Sequence, residues 1–116
     1  MLDQFMAPLN WIIGVIDKLL TEETFNDLQR TFLLNIMTEA NALRSLLFSI
    51  PDATTDSARQ LLSFEGRSHL SSVIGYIEEL LDELDGDLTD EQRDLLFEAR
   101  ASSMQLLEII ESISKD

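Results

Sequence analysis

Pro8-Leu9-Asn10-Trp11-Ile12-Ile13-Gly14-Val15-Ile16-Asp17-Lys18-Leu19-Leu20 lies over His69-Leu70-Ser71-Ser72-Val73-Ile74-Gly75-Tyr76-Ile77-Glu78-Glu79-Leu80-Leu81 at an offset of 61 residues. Both stretches carry apolar residues at three- and four-residue steps, the spacing of one face of an α-helix. Leu9, Ile13, Ile16 and Leu20 form one such series, and Leu70, Ile74, Ile77, Leu81 and Leu84 form the other. The repeat continues beyond these helices. Gln29-Arg30 lies over Gln92-Arg93, and Leu43, Leu47, Ile50 over Leu106, Ile110, Ile113, at an offset of 63. The second copy therefore needs only a loop two residues longer than the first.

Working outward, Leu33, Ile36, Ala40, Leu43, Leu47 and Ile50 mark a second helix, and Leu96, Ala99, Ser103, Leu106, Ile110 and Ile113 a fourth. Asn26-Asp27-Leu28-Gln29 and Thr89-Asp90-Glu91-Gln92 each put a capping side chain three residues before glutamine, the signature of a capping box. Asp85-Gly86-Asp87 supplies a turn after the third helix, and Pro51 stops the second. The pattern predicts helices over about 2–21, 26–50, 55–84 and 90–114. An amphipathic hairpin standing alone would leave its apolar face in water. The fold expected is therefore all-α, an antiparallel four-helix bundle made of two similar hairpins, 1–52 and 53–116, in one domain spanning 1–116.

Composition narrows the function. The chain has 116 residues, 45% hydrophobic and 26% charged, with 8 Lys plus Arg against 22 Asp plus Glu, a formal charge of -14. A polyanionic backbone or an anionic membrane surface would repel it, so nucleic acid is not an expected partner. With no cysteine and one histidine, neither a thiolate zinc site nor a two-imidazole site can form within one chain. No apolar run approaches the length of a membrane span, and a soluble, cytoplasmic chain is expected. The charge is uneven: residues 1–52 carry 3 basic and 7 acidic side chains, residues 53–116 carry 5 and 15. The second hairpin could steer a basic partner.

Ser63-Phe64-Glu65-Gly66-Arg67-Ser68-His69-Leu70, running on through Ile74-Gly75-Tyr76, resembles the dimerisation and histidine-phosphotransfer domain of sensor histidine kinases. That family's pattern is H-E-x-R-x-P-L, then apolar residues and G-[YF]; Glu65, Arg67, Leu70, Ile74, Gly75 and Tyr76 match it, and Asp90-Glu91-Gln92-Arg93 resembles the start of its second helix. The first hairpin matches through Pro8-Leu9-Asn10, Ile12-Ile13-Gly14 and Gln29-Arg30. In the family two chains each give one hairpin to a four-helix bundle. The resemblance implies that here one chain carries both, as a fused pseudo-dimer. The family's phosphoacceptor position falls on Asp3 in the first hairpin and Phe64 in the second, and neither offers an imidazole nitrogen. No glycine-rich loop with the Lys-Ser/Thr of a phosphate cradle is present. The resemblance thus implies a shape and docking surfaces without the chemistry.

The candidate partner-binding residues are Phe64, Glu65, Arg67, Ser68, His69 and Trp11; no catalytic, metal or cofactor site is expected. Phe64, beside the seam positions expected at Ser63 and Arg67, either packs at the rim or anchors a partner. Glu65 would be the base beside the family's histidine, but without that histidine it has no proton to take. His69 is five residues past Phe64, about 140° around a helix, and reads either as an exposed helix histidine or as a phosphoacceptor. Trp11 points away from its seam, toward a neighbouring helix or a contact surface. The carboxylates from Glu78 to Asp94 lack the D-x-[DN]-x-[DN]-G spacing of a calcium loop and read as a solvated negative face, with a weak cation site as the alternative. Three functions are expected in order: a non-catalytic module of two-component signalling docking a receiver domain or sensor kinase; a histidine phosphotransferase using His69; and a structural dimerisation or linker bundle. Self-association, if present, is expected to be weak.

Overall fold

The computed structural model describes residues 2–50 and 55–114, and within them every regular element is helical. Helix α1 runs Leu2–Leu20, α2 Asp27–Ser49, α3 Asp56–Leu61, α4 Arg67–Leu81 and α5 Asp90–Ser114; a π-helical turn, Leu62–Gly66, joins α3 to α4. Pro51 and the proposed boundary between residues 52 and 53 lie outside the described residues. Helix α1 packs against α2 and α5, and α4 packs against the same two. The molecule measures 45 × 21 × 19 Å, its long axis close to the ~37 Å of a 25-residue helix.

The repeat is visible in burial. On α1 the buried residues include Phe5, Leu9, Ile12, Ile16 and Leu19; 61 positions on, Gly66, Leu70, Val73, Ile77 and Leu80 are buried too. On α2 they include Gln29, Leu33, Ile36, Ala40, Leu43 and Leu47; 63 positions on, Gln92, Leu96, Ala99, Ser103, Leu106 and Ile110 follow. Ser103 is tolerated in this apolar row because its hydroxyl donates to the Ala99 carbonyl at 2.8 Å, which satisfies the polar group within its own helix.

Both helix starts close as capping boxes. Asn26 Oδ1 accepts from the Gln29 N–H at 2.8 Å while Gln29 Oε1 accepts from the Asn26 N–H at 3.0 Å. Thr89 Oγ1 and Gln92 Oε1 repeat the exchange at 3.1 and 2.9 Å. Each glutamine then spends its amide on the other half of the chain. Gln29 Nε2 donates to the Asp87 carbonyl at 3.3 Å, and Gln92 Nε2 donates to Thr24 Oγ1 at 2.9 Å and Glu22 Oε1 at 3.1 Å. That explains why both are buried, and it ties the two loops at one end of the molecule. Asn26 Nδ2, donating to the Asp85 carbonyl at 2.6 Å, adds to the tie. Gly86 fits between because it has no side chain: a Cβ there would lie 2.6 Å from Gln29 Nε2 and 2.7 Å from Asn26 Nδ2.

Three expectations need correction. The apolar spacing predicts the third helix as one piece over 55–84, but it contains the π turn and ends at Leu81, leaving Leu84 79% exposed in the loop. Its buried row, Leu62, Gly66, Leu70, Val73, Ile77, Leu80, opens with two steps of four. An α-turn drifts off the seam over such steps, and one wider turn restores the register. The same turn moves the seam to Leu62 and Gly66, so Ser63 is half-buried and Arg67 exposed, and neither is a seam position. Finally, Ile13, Ile74, Leu20 and Leu81 flank the core half-buried, while Ile12, Val73, Leu19 and Leu80 sit inside it.

Gly14 and Gly75 both stand on exposed helix interior where a Cβ would meet nothing within 4 Å. Neither glycine is required by packing within the chain. Gly75→Ala is therefore expected to stabilise by about 0.4–1 kcal/mol, by restricting the unfolded chain and favouring the helix. Denaturant melts of the two proteins check this; a lower midpoint for the alanine variant would show a close approach that the backbone does not reveal.

Candidate functional site

The stretch Phe64 to His69 straddles the junction of the π turn and α4, and the structure separates its side chains into two groups. Phe64, Glu65, Arg67 and Ser68 face solvent, with Phe64 80% exposed. Gly66 between them is buried, and a Cβ there would stand 2.9 Å from Ile110 Cδ1 and 3.7 Å from Leu43 Cδ1. The close seating of the backbone at Gly66 is what presents Phe64 outward on the far side of the turn. An exposure this high does not fit packing at the rim, the first of the two readings of Phe64. Asp3, its counterpart on α1, is exposed as well.

His69 departs from the exposed-histidine expectation. It sits half-buried on the α2 side of α4, and its Nδ1 lies 2.7 Å from Glu39 Oε2. The same seam holds a tilted ring pair, Phe32 with Tyr76, centroids 5.7 Å apart. The repeat has no second copy of the imidazole–carboxylate contact, because the corresponding positions are Pro8 and Ser102. Glu39 is the site residue that sequence reading missed: it lies 30 residues from His69, and no local motif links them. Trp11, the remaining candidate, is 52% exposed on the outer side of α1, well away in sequence from Phe64, and lines a notch with Asn10, Gly14, Val15 and Lys18.

At the opposite end, two carboxylates stand in contrasting situations, Glu83 in the loop after α4 and Glu79 in the last turn of α4. The Leu88 backbone N–H, 2.8 Å from Glu83 Oε1, and then the Arg93 guanidinium, 2.9 Å from Glu83 Oε2, hold the Glu83 carboxyl below the usual carboxylate range. Asp85 beside Glu79 pushes the Glu79 carboxyl up, helped by burial and by Asp82. Glu83 thus adds stability above its unfolded value that is lost as pH falls through its lowered folded value, whereas Glu79 favours the fold when protonated and loses that contribution as pH rises. Two opposite results follow at neutral pH: Glu83→Gln lowers Tm and Glu79→Gln raises it. Both differences shrink toward zero below the carboxylate range. Melts at neutral and acid pH check the pair, and shifts of the same sign in both variants would contradict the assignment.

Among the described residues no group of three His, Cys, Asp or Glu side chains is placed to hold a metal ion, and no helix is long and apolar enough to cross a membrane. Comparison with known proteins returns no matching family model, no matching curated protein and no matching solved structure.

Proposed function

We propose that this chain is a non-catalytic interaction module of two-component signalling, working in the cytoplasm and docking a receiver domain or a sensor kinase. In this reading the helices form an antiparallel four-helix bundle, a fused pseudo-dimer of two hairpins similar to the histidine-phosphotransfer domain. The matched burial rows and the reciprocal glutamine ties support that architecture. The observation that carries the function is Phe64. A phenyl ring 80% exposed stands where the resembling family has its phosphoacceptor, with exposed Glu65 and Arg67 beside it. Such a ring cannot accept phosphate, yet it offers what a protein partner buries, a large apolar anchor rimmed by opposite charges. Titrating the chain with a panel of receiver domains and kinases, with and without a phosphodonor, tests the reading. Binding without phosphate on the chain is the expected result.

The Glu39 contact favours a second reading, phosphotransfer through His69. A carboxylate on Nδ1 fixes the ring and leaves Nε2 as the nucleophile. Acid-labile phosphate that disappears in His69→Ala would promote it over the first.

A further inference from the structure

The outer face of α2 carries no charge. In a chain that is 26% charged, the exposed positions from Thr31 to Ser49 hold only Thr, Leu, Ser and Phe. Thr31, Leu34, Thr38, Asn41, Ser45 and Phe48 step by 3, 4, 3, 4, 3 along this face, the spacing of a helix-packing seam, over about 26 Å. The core seam of α2 is a different row, Leu33, Ile36, Ala40, Leu43 and Leu47, so the helix carries two. On the outer row Leu34 is 54% exposed and Phe48 63%. The Thr31 and Thr38 hydroxyls donate to the Asp27 and Leu34 carbonyls at 2.9 and 3.0 Å, and Asn41 Oδ1 accepts from Arg44 Nη2 at 2.8 Å, which leaves little polarity to desolvate. The fold does not require an uncharged row here. At the repeat positions on α5, Asp94, Glu108 and Glu111 stand where α2 has Thr31, Ser45 and Phe48.

We propose that this row docks one helix of a partner protein, a helix whose apolar contact face is edged by Asp and Glu. A straight row of this length matches a helix of about 18 residues, and the short side chains at Thr31, Thr38 and Ser45 leave hollows for its knobs. Charge complementarity sets the sign of the partner's edge. Arg30, Met37 and Arg44 flank the row half-buried, each one residue before a Thr or Ser of it. Arg30 donates to the Leu20 and Glu22 carbonyls and Arg44 to the Asn41 amide oxygen, so among the described residues neither meets a carboxylate. Arg93, the repeat counterpart of Arg30, pairs with both Glu83 and Asp90. In a chain with 22 acidic residues, the two arginines of α2 have kept their charge for an outside carboxylate. The acids of α2 do not oppose one: Asp27 precedes the row, and Glu39 is held on the α4 side by His69. Arg44 stands about 22 Å along the helix from Gln29, which is tied to the acidic loop, well beyond the ~8 Å reach of exposed charges at physiological ionic strength. A second copy of the chain fits poorly, because α2 against α2 sets arginines beside arginines and adds -14 to -14.

The probe is a peptide of about 18 residues, stapled into a helix on its far side, with leucines on the contact face and glutamates along both edges. A twin peptide carries lysines in place of the glutamates. Titrated calorimetrically into the full chain up to about 1 mM, the acidic peptide is expected to bind at least about 10-fold more tightly than the basic twin, against the overall charge of the chain. Ser45→Glu and Phe48→Glu install the residues that α5 carries at the matching positions of the same fold, and each should weaken the acidic peptide at least about 10-fold. Arg44→Ala should weaken it by up to about 5-fold and flatten its salt dependence. Melts of the variants establish that each is folded. No binding of the acidic peptide at about 1 mM, tighter binding of the basic twin, or acidic-peptide binding that survives both Ser45→Glu and Phe48→Glu overturns the proposal. Phe64→Ala should leave peptide binding unchanged, and Ser45→Glu should leave receiver docking at Phe64 unchanged, so either proposal can fail without the other.

Discussion

Ile77→Ala is expected to lower the free energy of unfolding by about 2–5 kcal/mol, the range for removing a fully buried aliphatic side chain that neighbours cannot replace. Ile77 has no exposed surface and sits in the middle of the buried row of α4, and Ile16, its counterpart on α1, is buried to the same degree. Ile16→Ala should therefore cost a similar amount. Ile74→Ala, three residues along the same helix but only half-buried, should cost less, about 1 kcal/mol. Urea unfolding of the three variants gives the comparison. Equal losses at positions 74 and 77 would place the seam where the apolar spacing alone suggested and contradict the burial pattern described above.

Phe64→Ala should weaken docking to a receiver or kinase partner by at least about 30-fold, the loss of one central aromatic anchor worth about 2 kcal/mol. The same substitution should leave the fold almost untouched, within about 0.5 kcal/mol, because the ring is exposed and holds no buried neighbour in place. That contrast separates a binding role from a structural one. Arg67→Ala, at the rim of the same patch, should have a smaller effect that fades with added salt. A Phe64→Ala variant that binds as tightly as the wild-type chain would move the docking surface elsewhere.

Much of the fold was legible in the sequence because burial in a helix is periodic and this chain states its period twice. Offsets of 61 and 63 residues, read from letters, superpose most of the buried rows, though buried Val15 and Leu46 fall on half-buried Tyr76 and Ile109. The capping boxes were legible for the same reason, since Asn26 and Thr89 each precede a glutamine by three residues. The π turn was not. It arises where two four-residue steps at Leu62, Gly66 and Leu70 must stay on one seam while Gly66 seats closely against Ile110, and both causes are tertiary. Ile13 and Ile74 fit an apolar rhythm as well as Ile12 and Val73 do, and only the packing of neighbouring helices separates them. In the candidate site, the sequence left Phe64 open between rim packing and a partner anchor, because the seam it was read against, Ser63 and Arg67, is displaced by the π turn. The tie from His69 to Glu39 was not legible, because it joins two helices at positions that share no motif.

The central claim is docking without phosphate transfer, and one experiment addresses it most directly: incubation of the chain with phosphorylated receiver domains, followed in parallel for complex formation and for acid-labile phosphate on the chain. The account predicts a complex with at least one receiver, lost in Phe64→Ala and kept in His69→Ala, with no phosphate transferred. Phosphate on the wild-type chain that vanishes in His69→Ala would contradict it.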